Sequence, residues 1–154
     1  MEFNDNNVKI LGSIGGAGGK PFVFYCDGQS LERLDVWADD ECIKGIWAAL
    51  TNHQHRSFGT HHGDYNLEYR TYKFETDERL TNLSIWKNWN GERTGRIEFT
   101  TNIGGSFMIG PGGGKKFEFD VQESKAVGLA GRFGADIEQF ALMVTKNDVT
   151  QSPR

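Results

Sequence analysis

Cysteine is nearly absent from this chain: Cys26 and Cys42 are the only two in 154 residues. Two cannot define a disulfide framework, and the expectation is a pair of reduced, mostly buried thiols. Three prolines leave no proline-rich linker, and no low-complexity tract interrupts the chain. No apolar run is long enough to span a bilayer. The start, "MEFNDNNVKI", has neither the basic residues nor the apolar stretch of a signal peptide. The expectation is a soluble, cytoplasmic protein that does not insert into membranes. Positive charge is also in deficit, with 17 Lys and Arg against 21 Asp and Glu and a formal charge of −4. Nucleic acid is a poor partner for such a surface, because binding a phosphate backbone needs a basic face.

Glycine, by contrast, is abundant, with 20 residues. It punctuates short segments of alternating polarity. "LERLDVWAD" alternates in part over residues 31–37. "LTNLSIWKNW" sets Leu83 and Ile85 on one side, "GRIEFTTN" sets Ile97 and Phe99, and "KKFEFDV" sets Phe117, Phe119 and Val121. Period-two patterns of this length read as half-buried strands. Many short strands with glycine turns at intervals of roughly ten residues point to an all-β sandwich, barrel or prism. One segment, "DDECIKGIWAALTN", is ambiguous. Cys42, Ile43, Ile46, Trp47 and Leu50 recur at helical spacing, yet Gly45 interrupts them, and Ile46, Ala48 and Leu50 equally line one strand face. The polar ends, residues 1–7 and 146–154, are expected to be flexible.

A glycine cluster followed by an aromatic strand occurs at "GGAGGKPFVFY" and again at "GPGGGKKFEFDV", with a weaker middle copy in "FGTHHGDYNLEYR". Taking Gly19, Gly63 and Gly114 as equivalent gives spacings of 44 and 51 residues, room for three four-stranded units. These clusters do not bind phosphate by either common motif. A P-loop needs a glycine five residues before Gly-Lys and a hydroxyl after it. Ile14 and Pro21 occupy those places in the first cluster, and Ile109 and Lys116 in the second. The G-x-G-x-x-G pattern begun by Gly16 and Gly18 ends on Pro21.

The order and spacing of "GSIGGAGGKPF", "DGQSLERLDVWADDECIKGIWAAL", "LTNLSIWKNWNGERTGRIEFTTN", "FMIGPGGGKKFEFDV" and "KAVGLAGRFGADIEQFAL" resemble the jacalin-related lectins, over roughly residues 8–145 as one domain. The resemblance implies a β-prism I, an all-β fold of three four-stranded Greek-key sheets with pseudo-threefold symmetry, in which "ECIKGIWAAL" is a strand. It also implies a metal-independent, non-catalytic carbohydrate-binding protein without cofactors; a shallow polar site binds weakly, so a homo-oligomer, most simply a dimer, is expected. An unbroken chain through Gly19 resembles the mannose- and glucose-preferring branch.

In that family the sugar lies between the first glycine loop and a G-x-x-x-D stretch before the last strand. Carried over, the candidate binding residues are Gly19, Gly134, Ala135, Asp136, Ile137 and Glu138. A glycine lets the backbone approach a sugar with its N–H free to donate, and a carboxylate accepts from hydroxyls through charge-assisted bonds. Glu138 stands where the family has aspartate, so its carboxylate reaches one carbon–carbon bond, about 1.5 Å, further out. Asp136, two residues earlier, is a candidate substitute. Three outcomes stay open: altered sugar binding, loss of the site with binding elsewhere on the prism, or a protein-interaction module that has given up sugar. Trp89, in "NWNGER", and Phe133, between glycines in "GRFGAD", are candidate stacking residues, each also readable as core. Arg132 is a candidate sugar contact or a structural brace. The second glycine loop, at Gly112–Gly114, lacks a following G-x-x-x-D stretch and reads as a turn.

All four histidines fall in "HQHRSFGTHH", at 53, 55, 61 and 62. A zinc or copper site is geometrically conceivable there, but neither cysteine nor carboxylate spacing supports it, and solvated loop histidines are the simpler reading. No G-x-S-x-G, H-E-x-x-H or paired-carboxylate signature motivates an enzyme.

Overall fold

The computed structural model describes residues 7–60 and 67–145. Its twelve strands are β1 (Val8–Gly15), β2 (Lys20–Phe24), β3 (Leu31–Ala38), β4 (Ile43–Leu50), β5 (His55–Gly59), β6 (Glu68–Lys73), β7 (Leu80–Lys87), β8 (Thr94–Thr101), β9 (Ser106–Ile109), β10 (Lys116–Phe119), β11 (Ala126–Phe133) and β12 (Ile137–Thr145). They form three four-stranded antiparallel sheets, ordered β1-β12-β11-β2, β5-β4-β3-β6 and β10-β7-β8-β9. Counting β11 and β12 as the first two strands of the sheet that β1 and β2 complete, all three have the same spatial order, fourth-first-second-third. That is the Greek key, repeated three times and closed across the two ends of the chain. The result is the expected β-prism, an all-β fold. The flexible ends expected from sequence lie largely outside the described residues.

The ambiguous segment is strand β4. Alternation wins over helical spacing because Ile46, Ala48 and Leu50 all point inward and are fully buried, and because the segment pairs with β3 on one side and β5 on the other. Leu34, Val36 and Ala38 of β3 and Leu83 and Ile85 of β7 join them, as do Ile97 and Phe99 of β8 and Phe140 and Leu142 of β12. Together these side chains make one core between the sheets. Cys42 is buried and Cys26 half-buried, and both are free thiols. Burial, with Asp136 and Asp39 nearby, pushes the Cys42 thiol up to about 12, so it stays protonated.

The first and third glycine loops join the third and fourth strands of their sheets, residues 16–19 and 110–115, while in the second sheet residues 61–66 between β5 and β6, Gly63 among them, lie outside the described residues. The first-to-second connections are residues 134–136, 39–42 and 88–93. Ladder register fixes which positions correspond. A Cβ on Gly15 would lie 2.1 Å from the Glu138 carbonyl oxygen, on Gly59 2.3 Å from that of Lys44, and on Gly110 2.3 Å from that of Gly95. Each of the three has positive φ, at 140°, 77° and 108°. The close approach of strand to strand at these points requires glycine. Glu138, Lys44 and Gly95 are therefore the same position in three copies, and two residues earlier Asp136, Cys42 and Arg93 are likewise equivalent. Ile137, Ile43 and Thr94, between those pairs, are wholly buried, and the Thr94 hydroxyl donates to the Ile14 carbonyl at 2.8 Å.

Candidate functional site

The first glycine loop folds over the start of β12. The Gly16 N–H donates to the Glu138 carbonyl at 2.7 Å, and the Gln139 side-chain amide donates to the Gly16 carbonyl at 3.0 Å. Arg132 donates from Nε to the Gly18 carbonyl at 3.0 Å and from Nη2 to the Gly19 carbonyl at 2.9 Å. Arg132 is thus a brace for the loop. With three loop carbonyls tied down, the N–H groups of Ala17, Gly18 and Gly19 have no hydrogen-bond partner among the described residues. Backbone donors held by their neighbours and left unpaired are ready to meet an oxygen-rich ligand.

Glu138 lies directly below these donors. A Cβ on Gly18 would sit 2.7 Å from Glu138 Oε1, and one on Gly19 2.5 Å from the Phe133 carbonyl oxygen and 2.9 Å from Glu138 Cγ. Gly19 also has φ of +71°, so both its space and its conformation demand glycine. The structure therefore brings Gly19 and Glu138 together across more than a hundred residues. Around them Gly16, Ala17, Gly18, Gly91, Glu92, Arg93 and Glu138 line a shallow pocket of about 310 Å³.

Glu138 is 7% exposed, and its Oε1 is 3.0 Å from Arg93 Nη1. No hydrogen bond reaches its other oxygen, Oε2, among the described residues. Asp136 is committed elsewhere, with Oδ1 2.6 Å from Lys44 Nζ and Oδ2 accepting from Arg93 Nε at 3.0 Å. Burial pushes the Asp136 carboxyl upward, but the bonds from Lys44 and Arg93 outweigh it and hold the group below its usual range. The bond from Asp136 likewise raises the Arg93 guanidinium. Asp136 therefore knots the ends of all three sheets together instead of standing in for Glu138.

The remaining candidates are placed as follows. Gly134 and Ala135 form the exposed tip of the 134–136 turn. The Gly134 N–H is given to the Asp136 carbonyl, and the Ala135 carbonyl accepts from the Thr60 hydroxyl. Ile137 turns its side chain into the core, so only its backbone faces the loop. Phe133 is no exposed platform. Strand alternation puts it on the same side as Leu129, and its ring packs edge-on against Phe22 and Phe58 at 5.8 and 5.4 Å. Trp89 is 65% exposed; its backbone stands against the third glycine loop, with its N 3.2 Å from where a Gly113 Cβ would be, and it does not line the pocket.

Four contributors were not singled out from sequence: Arg93, Glu92 and Gly91 from the third sheet, and Lys44 from the second. The loop "NWNGER" drew notice only for its tryptophan. Its six residues, against three in the 134–136 turn, were the available signal that it overhangs its neighbours.

A larger recess of about 510 Å³ lies on the outer face of the second sheet, lined in part by Arg33, Trp47, His53, His55 and Lys73. Its aromatic surface is already occupied, since His55 stacks on Trp47 at 5.5 Å and the Arg33 guanidinium lies 5.5 Å from the same ring. Arg33 is in turn neutralised by Asp35 at 2.9 Å. Among the described residues no three His, Cys, Asp or Glu side chains are grouped to hold a metal, and His61 and His62 lie outside them.

The family model for the jacalin-like lectin domain matches residues 11–143. A solved lamprey immune protein is 27% identical, with a TM-score of 0.81, over 93% of this chain and 46% of that one, so the present chain spans just under half its length. Malaysian banana lectin is 24% identical, with a TM-score of 0.69, over 91% of this chain and 99% of the other. Artocarpin, solved in complex with mannotriose, is 17% identical, with a TM-score of 0.70, over 92% and 99%. The search of curated proteins returned no match. With the model covering most of its length and all three Greek keys in place, the chain belongs to the jacalin-like lectin domain family.

Proposed function

We propose that this lectin domain binds a mannose- or glucose-type glycan, without metal and without catalysis, between the 16–19 loop and Glu138. The observation that carries this reading is the pairing of three unengaged backbone N–H groups with one free carboxylate oxygen across a shallow pocket. Donors and an acceptor so arranged complement vicinal hydroxyls, each of which both donates and accepts. The negative charges of Asp136 and Glu138 are already balanced by Lys44 and Arg93, which supports recognition by hydrogen bonds alone. The artocarpin complexes with mannotriose and with methyl α-mannose lend the choice of sugar its support.

A site this open binds one sugar weakly, and useful avidity would come from linked sites in a homodimer. The outer face of the first sheet, where Ile10 and Val23 are each about half exposed, is the surface proposed for pairing.

The test is titration of the labelled protein with methyl α-mannoside, followed by amide resonances, beside a glycan array. Shifts confined to residues 16–19, 91–93 and 138, unchanged by chelator, are expected. Silence in both experiments would overturn the reading in favour of a protein-interaction module. Light scattering of the purified chain decides between dimer and monomer.

A further inference from the structure

We propose that Arg93 is the positioning residue that lets a glutamate serve at position 138, taking one carboxylate oxygen for itself and leaving Oε2 as the single acceptor for a ligand hydroxyl. This rests on the carbohydrate reading above. A glutamate has one more rotatable bond than an aspartate, and an unrestrained one must be ordered each time ligand binds. Here the restraint is built in. Arg93 Nη1 lies 3.0 Å from Oε1, on the side facing Gly18, while Oε2 is on the side of Gly134, 3.6 Å from where a Cβ on that glycine would stand.

The guanidinium is itself held. Its Nε donates to Asp136 and its Nη1 to the Glu92 carbonyl at 3.1 Å. Its backbone is closed by Asn88, which is buried. The Arg93 N–H donates to the Asn88 side-chain oxygen at 3.1 Å, and the Asn88 N–H to the Arg93 carbonyl at 2.9 Å. The next residue, Thr94, is anchored under Ile14. Such a fork can address two carboxylates at once from a fixed base, which a lysine ammonium cannot do with the same geometry.

The pseudo-threefold relation gives the arrangement its logic. Arg93 is the third sheet's counterpart of Asp136, and Lys44 is the second sheet's counterpart of Glu138. At each of those two positions one of the other copies carries a cation, and both cations point into the first copy's acidic pair. The second and third copies have been spent on orienting the first.

The experiment is a double-mutant cycle on methyl α-mannoside affinity, with wild type, Arg93→Ala, Arg93→Lys, Glu138→Asp and the Arg93→Ala/Glu138→Asp pair, each checked for folding by thermal melt. Arg93→Ala should weaken binding about tenfold, the scale of a coupling between contacting groups. Arg93→Lys should weaken it by a smaller factor. In the Glu138→Asp background the same Arg93→Ala change should cost less than about twofold, because the shorter side chain no longer depends on the clamp. Equal losses in both backgrounds, or no loss in either, would overturn the proposal while leaving sugar binding intact. If Arg93→Ala does not fold, the cycle is run with Arg93→Lys, and the same inequality decides. A wild-type protein that binds no mannoside overturns the carbohydrate reading, and this inference with it.

Discussion

The first and third glycine loops are built on the same sequence idea and end up chemically opposite. In the third sheet, Gly112 N–H donates to the Gly95 carbonyl and Gly114 N–H to the Lys87 carbonyl, each at 3.0 Å. Their counterparts in the first sheet, Ala17 and Gly19, keep their N–H groups free. Below the loops, the first copy has Glu138 and the third has Gly95, which offers no side chain at all. At the position of Gly16, which caps the Glu138 carbonyl, the third copy has Pro111, which has no N–H to give. A glycine-rich loop is therefore not itself a ligand site. It offers free donors when its carbonyls are tied back by side chains and its amides are left over.

The sharpest way to break this difference is at Gly19. An alanine there would have to adopt φ near +71° and put a methyl group 2.5 Å from the Phe133 carbonyl oxygen. A loss of about 3 kcal/mol in stability, from strain and backbone displacement, is expected together with complete loss of glycan binding. Denaturant unfolding and titration measure the two. A Gly19→Ala protein with wild-type stability would contradict the loop geometry described above.

Asp136 is the next largest, because it joins three sheets. Asp136→Asn keeps the shape but removes the charge that Lys44 and Arg93 share, and should cost about 2 kcal/mol at neutral pH, in line with charged hydrogen bonds. The pH dependence gives a second reading. The folded carboxyl lies below its unfolded value near 3.8. Its contribution is therefore fully present above that value and lost as pH falls through the folded one. Unfolding followed from pH 5 to pH 2, a range chosen around the usual carboxylate value, should be less acid-sensitive in Asp136→Asn than in wild type. Identical acid profiles would show that Asp136 is not the knot.

Arg132→Ala should act mainly on binding. Its two bonds to the Gly18 and Gly19 carbonyls are exposed, so a stability change of about 1 kcal/mol is expected. The loop would then lose its brace, and mannoside affinity should fall about fivefold as ordering is deferred to the bound state. If affinity is unchanged while stability falls, the loop is held without Arg132, by Gln139 and the Gly16 N–H.

The strands were legible because each inward row shows in the letters: Leu83 and Ile85, Ile97 and Phe99, and the glycine spacing that marks three repeats. The ambiguity over residues 43–50 could not be resolved locally, since a buried strand with both neighbours in place carries apolar residues on both faces. At the site, Gly19 and Glu138 were found only through the family resemblance. Glu138 read as a departure from the family aspartate with its outcome open, because one residue was compared with one residue. What holds the glutamate is Arg93, 45 positions earlier on the third sheet, itself tied through Asp136 to Lys44 on the second. Ion pairs between separate sheets leave no periodicity and no motif, so nothing along the chain announces them.

Trp89 offers the smallest effect and tests the boundary of the site. From the letters it was a candidate stacking surface for a sugar, equally readable as a core residue. In the fold its backbone packs on Gly113, so residue 89 belongs with the third copy's closed loop and not with the first copy's open one. Trp89→Ala removes a largely solvated ring and leaves Asn88 and Arg93 where they are, so stability should change by less than about 0.5 kcal/mol. Affinity for methyl α-mannoside should stay within about twofold, since Trp89 does not line the pocket. Measured with a trisaccharide as well, the variant becomes informative about direction. A loss seen only with the longer ligand would show that the second and third sugar units leave the pocket across residues 88–91, toward the loop whose own amides are already taken.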